Sequence, residues 1–305
     1  MPYKPVPYWA KLPHPMSFKE ATSVAVDSQD RVYIFNRGNW PMMIFDADGN
    51  FLETWGAGEF NRPHGIFIDG DDNLYLADDD DHVVEKRTPS GEIIFRLGER
   101  GKPAAWQEGD PFNRPTDIVV HPESGDIFIT DGYGNSRVHK YDSDGNHVKS
   151  WGEPGALDGQ FSLPHNICLL GNDKIVVADR ENFRIQVFSL DGEYLGQKHM
   201  HRPIACSNGR AGDDRMYVAE AGAPAVQKGV RNLGNRVVVL DMDLNEVDKF
   251  GADLPGEGHD QFIASHGIAT DSTGAVYIAE VSYTNTGSNL NPPREVTSLR
   301  KWVAV

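Results

Sequence analysis

The chain has 305 residues and a formal net charge of -16, with 29 Lys+Arg against 45 Asp+Glu. That balance excludes a general binder of nucleic acid or anionic membrane, because phosphates would be repelled and no Lys/Arg run offers a local exception. Its 31 Gly and 19 Pro beside 39% hydrophobic residues fit a turn-rich β protein, and the length is ample for one all-β domain. The proline-rich lead lacks the continuous apolar segment of a signal peptide. No run is long enough to cross a bilayer, so a cytoplasmic location with no membrane partner is expected.

In chain order, residues 22–27 and 31–35 read as a strand pair, and 42–45 and 51–56 add two more around an Asp48-Gly49-Asn50 turn. Four short antiparallel strands with tight turns make one propeller blade. A second unit opens at Pro63 and His64 and closes at 95–98; a third opens at Pro115 and closes at 150–152. The fourth opens at Pro164, the fifth at Pro203, and the sixth runs from Ser265 and His266 to 299–302. Starts spaced by roughly 40 to 60 residues are blade-sized repeats. Insertions fall at 99–110, 221–234 and 284–295, the last two after second strands, where they are expected to project as lids. The final unit lacks an outer strand, which the N-terminal segment 1–20 is expected to supply. The prediction is an all-β, six-bladed β-propeller, a single domain over 1–305, closed by its N-terminal residues.

The position that opens each blade's first strand holds, in order, Thr22, His64, Thr116, His165, Ile204 and His266. Histidine fills every second blade. In a sixfold ring, alternate blades stand about 120° apart with inner strands lining the centre, so three imidazoles would converge there. Three nitrogens with one open position make a catalytic zinc arrangement, although another first-row metal suits the same ligands. Arg37 and Tyr133 each follow the second strand of a blade; a guanidinium forks onto a carboxylate, and a phenol can exchange a proton. The run 78–81 reads as a solvated turn rather than a calcium loop, and Asp117 as a weaker metal candidate or a group able to orient a histidine. Cys168 and Cys206 read as two buried thiols.

The turns 48–50, 144–146 and 191–193 and the Trp-Gly closures resemble NHL-repeat propellers. The stretches 115–120, 131–137, 159–165 and 178–186 narrow this to a resemblance to the peptidyl-α-hydroxyglycine α-amidating lyases, extending over almost the whole chain. That resemblance implies zinc on His64, His165 and His266, with Arg37 and Tyr133 catalytic. The chain departs from the family pattern at Gly267, where the lyases carry a calcium-ligating aspartate, so calcium is not expected there. It departs again at Ala264, in place of a methionine, and at Gly134, in place of a half-cystine.

The leading expectation is a zinc-dependent lyase acting on a peptidyl-α-hydroxyglycine or smaller relative, a peptide or small-molecule substrate, to give an amide and glyoxylate. A hydrolase of an amide, imide or lactone on the same residues stays open, as does a non-catalytic NHL interaction platform. The oligomeric state is not legible.

Overall fold

The computed structural model describes residues 3–109, 111–209, 213–222 and 233–305. Among these, 24 strands form six four-stranded antiparallel sheets, the blades of a six-bladed β-propeller. No helix of the described residues is long and apolar enough to cross a membrane. The insertion at 221–234 lies largely outside the described residues. The chain divides into two compact units, Met1–Ala57 with Ser207–Val305, and Gly58–Cys206.

Hydrophobic pattern sets the order of strands within each blade. First strands such as β2 (Ala21–Val26), β14 (Pro164–Leu170) and β22 (Ser265–Thr270) are buried throughout. Fourth strands such as β13 (His147–Trp151) are exposed or half-buried, and β17 (Tyr194–His199) alternates between those states. Several third-to-fourth turns are each closed by one aspartate. Asp46 accepts the N–H groups of Asp48 and Asn50 at 3.0 and 2.8 Å, and the Asn50 side chain adds a bond of 2.7 Å. That amide holds the Asp46 carboxyl below the usual carboxylate range. Asp142 repeats the pattern with Asp144 and Asn146.

In the first unit, β1 (Tyr3–Pro5) pairs antiparallel with β24 (Leu299–Ala304) and supplies the missing strand of the sixth blade. Trp9 then packs in a core with Val24, Phe45 and Tyr277, and its ring N–H donates to Ala47 O at 3.0 Å. Gly49 is required beneath it. A Cβ there would meet the Trp9 carbonyl oxygen at 1.9 Å, and φ is +80°.

The acid ending each of several second strands anchors the segment that leads into its own blade. Asp78, closing β7 (Leu74–Asp78), accepts from the N–H groups of Asn61 and Arg62 at 2.7 and 2.8 Å. Asp179, closing β15 (Lys174–Asp179), accepts from Ser162 N–H at 2.7 Å. Glu280, closing β23 (Val276–Glu280), accepts from Ala264 N–H at 3.0 Å. The expectation of a solvated turn over 78–81 is therefore corrected: Asp78 and Asp79 are buried and structural. Burial pushes the Asp78 carboxyl up, against the pull of those N–H groups.

Candidate metal and catalytic site

The pairing register breaks where the histidines sit. In β14, Pro164 faces Asp179 and Asn166 faces Ala178, so the register shifts across His165. In β22, Ser265 faces Glu280 and Gly267 faces Ala279, so His266 is the extra residue. In β6 (Pro63–Ile68) the shift falls between Pro63 and Ile66, across His64. A bulge of this kind re-aims one side chain without disturbing the rest of the strand.

Each imidazole is then pinned from behind. His64 Nδ1 lies 2.7 Å from Thr116 O, His165 Nδ1 2.9 Å from Ile204 O, and His266 Nδ1 2.7 Å from Thr22 O. The carbonyls come from the same opening position of the following blade, held by Thr116, Ile204 and Thr22. A carbonyl only accepts, so Nδ1 must carry the proton, and in the neutral ring Nε2 keeps its lone pair. That is the tautomer a metal requires at Nε2, held by the backbone. All three rings are buried.

Within the unit 58–206 the structure brings His64, His165 and Tyr133 together. The Tyr133 hydroxyl lies 3.0 Å from His64 Nε2 and 3.4 Å from His165 Nε2, and the two imidazole rings are 4.9 Å apart. Glycines on either side make this approach possible. A Cβ on Gly132 would meet Pro164 O at 2.0 Å, and one on Gly134 would meet Asn113 Oδ1 at 2.1 Å. Three guanidinium groups lie near the Tyr133 ring, Arg114 at 4.7 Å, Arg62 at 5.6 Å and Arg180 at 6.0 Å from its centroid, and the sequence reading missed the first two. For Arg62 and Arg114 the signal was the repeated Arg-Pro pair before a first strand, at Arg62-Pro63 and Arg114-Pro115.

Arg37 and His266 belong to the other unit. Arg37 Nη1 lies 3.1 Å from Glu20 Oε2. Glu20 also accepts from Thr284 N–H at 2.6 Å and from its hydroxyl at 2.9 Å, tying the start of the 284–295 insertion to the same carboxylate. That insertion begins with a short helix, α1 (Ser282–Asn285). Gly267 leaves no space for the family's aspartate, because a Cβ would lie 2.6 Å from Ser23 Cα.

Asp117 does not orient a histidine; backbone carbonyls do that. Its carboxylate accepts from the Asn166 side chain and, at 3.3 Å, from Ile167 N–H. Asn166 Oδ1 in turn accepts from Cys206 N–H at 2.6 Å. Cys168 and Cys206 are both buried thiols. Burial raises the Asp117 carboxyl to about 8. A raised folded-state value means the native state holds a proton that the unfolded chain releases near pH 4. Its contribution is thus fully present below about pH 4 and lost as pH rises towards about 8. We expect Asp117→Asn to flatten that decline, read as urea midpoints at pH 5 and pH 8.5 for both proteins; parallel declines would refute it.

The NHL repeat model matches residues 112–141 and 161–188. Human NHL repeat-containing protein 3 (Homo sapiens) is 32% identical over 289 residues, covering 90% of this chain and 80% of that protein. The chain belongs to the NHL-repeat family. The name of that human relative states no activity. This NHL-repeat protein is also 30% identical over 300 residues to peptidylglycine alpha-amidating monooxygenase of Rattus norvegicus, covering 88% of this chain but 30% of the rat protein. Peptidyl-alpha-hydroxyglycine alpha-amidating lyase 1 of Drosophila melanogaster is 29% identical over 308 residues, 86% of this chain and 55% of the fly protein. The chain therefore spans under a third of the rat enzyme and about half of the fly one. Among solved structures, virginiamycin B lyase from Staphylococcus aureus superposes with a TM-score of 0.61 at 14% identity, over 95% of this chain and 96% of that one, which shows a shared fold.

Proposed function

We propose that this NHL-repeat protein is a metal-dependent lyase cleaving the C–N bond of a peptidyl-α-hydroxyglycine or a smaller N-acyl-α-hydroxyglycine. The observation that carries the reading is the set of carbonyl pins. They leave Nε2 of each slot histidine able to ligate, with the Tyr133 hydroxyl beside two of them. His64, His165 and His266 would hold the ion, and three neutral imidazoles suit Zn²⁺ or another first-row metal. When bound, the metal supplies Lewis acidity at the substrate hydroxyl.

The chain's own residues do the rest. Tyr133, in its phenolate form, takes the proton of the substrate hydroxyl. Arg37 holds the carboxylate on the same carbon, at the expense of its ion pair with Glu20. The electron pair left on oxygen closes the carbonyl of glyoxylate, the C–N bond breaks, and the amide nitrogen leaves with a proton returned from Tyr133. The names of the amidating relatives support this chemistry.

The test uses N-benzoyl-α-hydroxyglycine with the metal-loaded protein. Benzamide and glyoxylate are expected. Benzoate carrying oxygen from labelled water would establish hydrolysis instead. A purified protein with neither bound metal nor turnover would leave the interaction platform.

A further inference from the structure

We propose that Arg62 and Arg114 form an anion subsite beside Tyr133 that takes a second carboxylate, on the acyl side of the substrate. This deepens the lyase reading and rests on its placement of Tyr133 at the reacting centre. Both guanidinium groups lie over the Tyr133 ring, and both bind the same carboxylate: Arg62 Nη1 and Arg114 Nη2 meet Asp79 Oδ2, the latter at 3.2 Å. Arg114 Nε also faces Asp80 Oδ1 at 3.1 Å. Arg62 Nε and Nη2 and Arg114 Nη1 have no hydrogen bond among the described residues. The arginine side chains are 29% and 32% exposed whereas Asp79 is fully buried, so a solute can reach the cations but not their anchor.

One buried carboxylate thus fixes two guanidinium planes with donors left over, a preorganised match for a planar carboxylate. A pocket of about 400 Å³ adjoins Tyr133, lined also by Gln107, Leu163 and Asn182 among others. Gln107 Oε1 is buried there without a hydrogen-bond partner among the described residues, an acceptor suited to an amide N–H. Arg37, in the other unit, is the holder of the carboxylate beside the carbinol carbon. With the first carboxylate assigned to Arg37 by that reading, the paired cations beside Tyr133 point to a second one: an N-acyl-α-hydroxyglycine whose acyl chain itself ends in a carboxylate, such as succinyl or glutaryl.

The experiment has two arms on the full chain with its metal. Turnover of N-succinyl-α-hydroxyglycine is compared with that of its terminal amide, and glutarate and glutaramate are titrated calorimetrically. A preference of about 10-fold or more for the charged member is expected in both arms, falling to near unity in Arg62→Gln and Arg114→Gln. Arg62→Lys and Arg114→Lys keep a cation on Asp79 but lack the planar fork, and they are expected to lose most of the preference while melting normally. Equal affinity for glutarate and glutaramate, or a preference that survives both sets of substitutions, overturns the subsite. Arginine-dependent glutarate binding with no turnover of either substrate upholds the subsite and sinks the lyase reading.

Discussion

His165→Ala is expected to lose its transition metal and all turnover, whereas wild-type protein carries about one ion per chain. The ring it removes is buried, sits alone on a strand bulge, and is held by Ile204 O at 2.9 Å with Nε2 turned to the Tyr133 hydroxyl. No other histidine can substitute, because the neighbouring opening positions hold Thr116 and Ile204, which contribute only carbonyls to the histidines. Metal analysis after gel filtration reads the effect directly. Thermal melting with and without added Zn²⁺ gives a second reading, since an ion that binds only the folded state raises its stability by mass action. His121→Ala is the control. That imidazole lies outside the opening positions, between Ser124 Oγ at 3.0 Å and Asn172 O at 2.9 Å, so its loss should leave metal content unchanged. A His165→Ala protein that keeps stoichiometric metal would end the triad assignment.

The alternation that suggested those three histidines was visible because it is a one-dimensional pattern: one residue type at one position of every second repeat. The blades were legible for the same reason, as was the need for an outer strand that β1 supplies. What fixes the imidazoles was hidden. The carbonyls of Thr116, Ile204 and Thr22 belong to backbone, which carries no residue-type signal, and the bulges at His64, His165 and His266 exist only in the pairing register. Asp117 misled for a related reason. Its chemistry suits a histidine partner, but Asn166 stands on the first strand of the next blade and takes it. Arg37 read as a clamp for a substrate carboxylate, and in the structure its partner is Glu20, 17 positions earlier. Arg62 and Arg114 were overlooked because an arginine before a proline reads as a loop charge until Tyr133 is seen beside them.

Tyr133→Phe is expected to keep its metal and melt close to wild type while losing about 10²- to 10⁴-fold in turnover, the range for a positioned acid–base group. The substitution removes one oxygen and leaves the ring, so the contacts with Arg62, Arg114 and Arg180 keep the side chain in place. The lost hydrogen bond to His64 Nε2, 3.0 Å long, costs roughly 0.5–1.5 kcal/mol of stability, a shift small beside the kinetic one. That asymmetry separates a catalytic hydroxyl from a structural one. Arg37→Lys sharpens the test from the substrate's side. An ammonium can still pair with Glu20 but cannot fork onto a carboxylate, so KM for N-benzoyl-α-hydroxyglycine should rise with the fold intact. A normal KM in that variant would remove Arg37 from carboxylate recognition. Turnover of N-benzoyl-α-hydroxyglycine by Tyr133→Phe at the wild-type rate would take the proton-transfer role away from Tyr133, leaving the histidines to a reaction in which the phenol only packs.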